Sequence, residues 1–204
     1  MKRALPLVGC LGALLVVLVV GGVMLAGSYN RLVGLDEAVD SAWSQVENVY
    51  QRRADLVPNL VATVRGAADF ERETLQDVVE ARSRVGQVGA QATGDIVEDP
   101  QRFAQFAAAQ DALSSALSRL LVVVERYPEL RAVAAFRDLM VQLEGTENRI
   151  AVERRRYNEV AQSFNAARRR VPTAWFVSLL GWDFEPKAYF EAQPGAEQAP
   201  RVEL

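Results

Sequence analysis

From Ala4 to Ala26 the chain carries no charged residue, and this run, ALPLVGCLGALLVVLVVGGVMLA, constrains the fold more than any other segment. As a helix it would be about 35 Å long at ~1.5 Å per residue, enough to cross a hydrocarbon core of ~30 Å. The expectation is an uncleaved membrane anchor. A cleavable signal ending near Ala26-Gly27-Ser28 is the rival, but the apolar part of such a signal is only ~7–15 residues long. Leu7-Val8-Gly9-Cys10 has the look of a lipoprotein box, yet too few apolar residues precede it and too many follow. Lys2 and Arg3 stand before the run, whereas Arg31, Asp36, Glu37 and Asp40 come after it. The excess of basic residues on the amino-terminal side then expects the bulk of the protein outside the cytoplasm. The expected division is a single-pass anchor over 1–28, one domain over 29–190 and a polar tail over 191–204.

A chain of 204 residues leaves room for one ordinary domain beside such an anchor. Without Lys2 and Arg3 that domain has 21 basic and 26 acidic residues, a balance that speaks against nucleic acid as a partner. There is no histidine, and Cys10 is the single cysteine. Ser-His-Asp and Cys-His pairs, two-cysteine zinc sites, and Glu-x-x-His di-iron helices are therefore unavailable. No disulfide can close within one chain. The composition calls for no cofactor and no metal, and the expectation is a protein that is not an enzyme.

Beyond the anchor the helical period governs. Leu32, Leu35, Val39, Ala42, Trp43, Val46, Val49 and Tyr50, then Leu56 and Val57, recur at spacings of three and four, the signature of one packed helix face. Pro58 should kink or restart that helix, because proline lacks the amide donor; Leu60, Val61 and Val64 resume the stripe. A second helix is expected over about 70–87, ending in the glycine-rich GQVGAQATGD loop. Asp99 before Pro100 signals a capped start, and Phe103, Phe106, Gln110, Leu113, Leu117, Leu120, Val124 and Tyr127 then follow a coiled-coil seam. A fourth helix is expected over about 130–170, with Phe136, Leu143, Ile150, Tyr157, Phe164 and Val171 at every seventh position. Arg168, Arg169 and Arg170 in its last turn suit the helix dipole, with a lipid-phosphate contact as the alternative. TAWFVSLLGW reads as a short apolar helix stopped by Gly181, which could cap an open bundle end or dip into a membrane surface. The fold class is all-α: an N-terminal transmembrane helix, then an antiparallel bundle of about four long helices plus a short C-terminal one.

The segment LEGTENRIAVERRRYNEVAQSFN is richer in polar groups than a surface helix needs. Between Leu143, Ile150 and Tyr157 the intermediate seam positions fall on Glu147 and Arg154, or on Thr146 and Glu153. Buried charges cost several kcal/mol unless paired, so partners are expected on a facing helix. Gln45, Asn48, Arg52, Arg53 and Asp55 of the first helix are the candidates. With Glu147, Asn148, Arg149, Arg154, Tyr157 and Asn158 they would form a polar network, either fixing helix register or, through Glu147, Arg149, Arg154 and Tyr157 with Arg52 and Asp55, binding a small ligand or hydrolysing one.

The blocks YNRLVGLDEAVDSAWSQVENVYQRRADLVPNLVATVRG, ERETLQDVVEARS, VVVERYPEL, LEGTENRIAVERRRYNEVAQSFN, PTAWFVSLLGW and AYFEA together resemble the LemA family over about 29–192. The resemblance implies a membrane-anchored antiparallel helical bundle of bacterial type and implies no reaction. It also implies a protein partner in the cell envelope, a membrane protease being one candidate; the long amphipathic helices leave a second copy of the chain as another. Two departures stand out. Ala67-Ala68-Asp69-Phe70 occupies the place where relatives tend to carry an aromatic and a histidine, and Arg131-Ala132-Val133 replaces the usual lysine-alanine-asparagine.

Overall fold

The apolar run and the first amphipathic stripe form one unbroken helix. In the computed structural model, which describes residues 4–66, 71–91 and 96–191, α1 extends over Ala4–Arg65. The helix does not restart at Pro58, contrary to one of the two outcomes the sequence suggests. The reason lies in the neighbouring helix. The missing amide of Pro58 leaves the carbonyl of Ala54 without its helical donor, and Arg82 supplies the replacement, donating from Nε at 3.0 Å.

Four further helices and a single turn complete the described fold. The second helix, α2 (Arg72–Gln91), runs on through Gly86 and Gly89, past its expected end near residue 87. The third, α3 (Pro100–Val124), starts as the sequence predicts: Asp99 accepts from the amides of Gln101 and Arg102 at 2.9 and 3.1 Å. The expected fourth helix is two elements, α4 (Pro128–Ala132) and α5 (Ala134–Arg169). Val133 separates them with extended backbone (φ −71°, ψ 119°), a conformation that suits a β-branched residue, while buried Leu130 pins the preceding turn. The last helix, α6 (Thr173–Leu180), ends where Gly181 takes the left-handed conformation (φ 64°) that glycine adopts without steric cost. The expected polar tail from 192 onward lies outside the described residues.

Helices α1 and α5 lie antiparallel along their shared length, and α2 lies antiparallel against α3. The buried residues fall into two clusters. The one nearer the apolar run is aromatic, built on Trp43, Tyr50, Phe103, Phe106, Tyr157, Phe164, Phe184 and Phe190. Trp43 meets the rings of Phe106, Tyr157 and Phe103 with centroids 5.3, 5.5 and 5.7 Å apart, within the range where ring pairs attract beyond their area burial. The distal cluster is mostly aliphatic, with Val57, Leu60, Val64, Val78, Leu113, Leu117, Leu120 and Leu143.

Candidate functional site

A polar layer divides the two clusters. Arg53, one turn beyond Tyr50 and one before Val57, is 1% exposed. Its Nη1 donates to Glu147 at 2.9 Å and to Ser114 Oγ at 2.5 Å, and its Nη2 donates to the carbonyl and side-chain oxygens of Gln110 at 3.0 and 2.5 Å. Glu147 sits midway between Leu143 and Ile150, and Gln110 between Phe106 and Leu113, so α1, α3 and α5 each contribute at the same level. Both terminal nitrogens of the guanidinium are bonded, while its Nε is buried without a partner among the described residues; the paired nitrogens fix the register of three helices, since a slip would bury the charge without partners.

The sequence candidates are thus only partly brought together. Arg53 and Glu147 pair across α1 and α5, as the spacing predicts. Arg154, expected to pair with α1, instead donates to Asp111 of α3 at 3.0 Å and lies 4.4 Å over the ring of Phe190. Asn48, Arg52, Asp55, Asn148 and Arg149 face solvent, as does Gln45, and Asp55 accepts from Gln51 on its own helix at 2.9 Å. The single-turn offset explains this, because position 53 falls on the buried stripe and positions 52 and 55 do not.

Tyr157, Asn158 and Asn165 serve a segment that the helical period does not reveal. After Gly181 the chain turns, with the Phe184 amide donating to the Trp182 carbonyl at 3.0 Å, and runs back along α5 without helix as far as Glu191. Asn158 grips Phe190 at both backbone groups, donating to its carbonyl at 2.8 Å and accepting from its amide at 2.9 Å. Asn165, seven residues on, does the same at Lys187, at 2.8 and 2.9 Å. Tyr157 donates to the carbonyl of Ala188 at 2.9 Å, and the Nε of Arg168 donates to the carbonyl of Phe184. An extended chain has backbone groups that need partners, and here side-chain amides on one helix face stand in for a neighbouring strand. Replacing Asn158 or Asn165 by alanine should cost about 1–3 kcal/mol each and speed hydrogen exchange at the Phe190 or Lys187 amide. Unchanged exchange at both amides would contradict the clamp.

Lys187 is the buried charge of this strap. It is 4% exposed, and its Nζ reaches Glu98 at 2.6 Å and Asp36 at 2.7 Å, which ties the strap to α1 and to the turn before α3. Burial pulls the ammonium's pKa down, but the hydrogen bonds and charges of Asp36 and Glu98 outweigh this and hold it above the ordinary lysine value. Burial also pushes the Tyr50 phenol up to about 12, opposed in part by Arg154 and Arg53, and raises the Tyr157 phenol further.

All three groups hold their protons more tightly folded than unfolded, where tyrosine titrates near 10.0 and lysine near 10.5. Above pH 10 the unfolded chain releases protons that the folded chain keeps, so stability falls as pH rises. The melting temperature followed by circular dichroism should hold steady up to about pH 9.5 and drop between about pH 10 and 12. Tyr157→Phe should blunt that drop, and an identical drop in the variant would show that Tyr157 contributes nothing to it.

Beside the polar layer a groove of about 880 Å³ opens between α1, α3, α5 and the strap, lined among others by Tyr50, Arg53, Asp111, Arg154, Asn158 and Phe190. The hydroxyl of Tyr50 is buried here without a hydrogen-bond partner among the described residues. Among those residues no group of three or more His, Cys, Asp or Glu side chains is placed to hold a metal.

These features define an all-helical bundle continuous with an N-terminal apolar helix long enough to cross a membrane, and locked by an extended C-terminal strap. Residues 42–204 match the LemA family, and the chain belongs to it. It is similar to magnetosome proteins MamQ 2 and MamQ 1 of Paramagnetospirillum magneticum, each 26% identical over 83% of this chain and 66% of the relative. Protein LemA of Metamycoplasma hominis is 24% identical over 73% of this chain and 62% of its own length. The chain thus spans about two thirds of the length of the curated relatives it matches.

Proposed function

We propose that the protein is a single-pass membrane anchor and non-enzymatic interaction module of the bacterial cell envelope, with its bundle outside the cytoplasm. The observation that supports this best is the continuity of α1 from the apolar run into the bundle. No linker intervenes, so the stretch from Ala26 to Arg65 would hold the bundle's far end about 60 Å from the membrane. Of the polar groups that could have built a reactive site, Glu147 belongs to the register layer and Tyr157 to the strap, while Arg52, Asp55 and Arg149 face solvent apart from them. The free faces are then what a partner would read, whether an envelope protein, a membrane protease among them, or a second copy.

Val141 and Val152 are both exposed, and their spacing of three turns aligns them on one side of α5. Photo-reactive residues at these two positions in the full-length protein, cross-linked in cells and identified by mass spectrometry, test the reading. One dominant envelope protein or the chain itself among the adducts supports an interaction module; absence of adducts at both positions overturns it.

A second reading, a small ligand held in the groove, is favoured by the unpartnered Tyr50 hydroxyl. If that hydroxyl serves no ligand, Tyr50→Phe should leave stability unchanged or slightly higher, since an unsatisfied buried donor costs about 1–3 kcal/mol. A metabolite that raises the melting temperature of the native protein but not of Tyr50→Phe would favour the ligand.

A further inference from the structure

We propose that α6 lies in the lipid interface of the membrane that α1 crosses, anchoring the near end of the bundle to the bilayer surface. The inference rests on the reading of α1 as a membrane span.

The position of α6 follows from its contacts. It packs against α1 and α5, and Trp182, just beyond its end, meets the ring of Tyr29 at 5.0 Å, with Phe184 on the same ring at 5.7 Å. Tyr29 stands one turn past Ala26, where the apolar run ends. Between Gly12 and Ser28 every side chain is bare except Leu25 and Ser28, which are partly covered. The bundle therefore reaches down to the last turn of the apolar run. Tyr29 and Trp182 sit about 6 Å along the helix axis from Leu25, the level at which tyrosine and tryptophan collect in membrane proteins.

The chemistry of α6 fits that place. TAWFVSLL has no charged residue. Thr173, Phe176 and Val177 turn inward, whereas Trp175 and Leu179, one turn apart, are 65% and 86% exposed, and Leu180 is half bare. A cap uses only the inward face, which packs on the bundle end, and does not account for the outer one. A charge-free face carrying tryptophan and leucine is left open beside the end of a span, with Val171 also exposed. The exposed Arg169 and Arg170 flank it, and basic residues beside an apolar face suit a lipid headgroup layer. Facing water, this surface would have no counterpart; facing lipid, both its apolar face and its arginines are used.

The test uses the full-length chain with Cys10→Ser and one new cysteine at a time, Leu179→Cys, Val17→Cys or Val122→Cys, each at an exposed position. An environment-sensitive fluorophore is attached, and the protein is reconstituted at one chain per nanodisc of phosphatidylcholine and phosphatidylglycerol carrying nitroxide lipids. The label at 17 should be quenched by mid-chain nitroxides, and the label at 122, at the far end, by none. The label at 179 should shift to the blue and respond to shallow nitroxides, at a depth of ~5–10 Å into the headgroup and acyl boundary. If 179 behaves like 122 while 17 is quenched, the interfacial placement is wrong and the anchor stands. If 17 is also unquenched, the anchor reading falls and the placement with it. A blue shift at 179 that needs several chains per disc would assign the surface to a second copy and overturn the proposal.

Discussion

Replacing Lys187 by methionine is expected to lower the stability of the bundle by about 3–5 kcal/mol, the cost of removing one partner from a buried ionic group. The ammonium holds two carboxylates that approach it from different parts of the chain, Asp36 of α1 and Glu98 before α3. Without it, those carboxylates, about 30% exposed, repel each other beside the ring of Phe164, which lies 5.1 Å from the nitrogen. The deficit should appear in chemical denaturation at pH 7 and should shrink in acid, where protonation of the carboxylates relieves their repulsion. A loss below about 1 kcal/mol, the range of an exposed pair, would show that the triad is solvated and that the strap is not held by it. Arginine is no substitute, because its planar fork does not reproduce a compact ammonium shared between two single oxygens.

The second large effect belongs to Arg53. Alanine there should cost about 3–5 kcal/mol, since Gln110 and Glu147 lose their shared donor and a cavity opens between the two clusters. The informative comparison is with a combined variant, Arg53→Met, Gln110→Leu, Glu147→Leu and Ser114→Ala, which swaps the whole layer for apolar groups. Buried ionic networks replaced in this way are often as stable as the original. Recovery of most of the lost stability in the combined variant would show that the layer serves register more than stability. A looser register should then appear as broadened distances between spin labels on α1 and α5. A combined variant as unstable as Arg53→Ala would instead make the layer a net contributor to stability.

The long helices and their inner faces were legible in the sequence because packing against a core repeats every three or four residues. Leu143, Ile150, Tyr157 and Phe164 are all buried, as are Phe103, Phe106, Gln110, Leu113, Leu117 and Leu120. The pairing of Arg53 with Glu147 was within reach for the same reason, as both lie on their stripes between core residues. The break at Val133 was not, since nothing in a pattern of side chains reports one residue of extended backbone. The strap was invisible for a different physical reason. A segment clamped by Asn158 and Asn165 has no strand beside it among the described residues and hence no alternation to read, and Asn158 looked like a partner for another helix. Lys187 did leave one signal. In a chain whose 23 basic residues include only one other lysine, Lys2, a lysine near the carboxyl end marks a site that wanted a compact charge. The plainest signal was the N-terminal apolar helix, marked by its length and lack of charge.

If α1 crosses a bilayer as proposed, its unbroken course from the apolar run into the bundle would also make the protein a lever. A helix that meets a bilayer thinner than its apolar length responds by tilting, and here the tilt cannot be absorbed by a hinge before the bundle begins. A change of 10° would swing a point about 60 Å from the membrane sideways by roughly 10 Å. On the proposed reading of α1 as a span, local bilayer thickness would be converted in this way into the lateral position of α4 and the distal cluster.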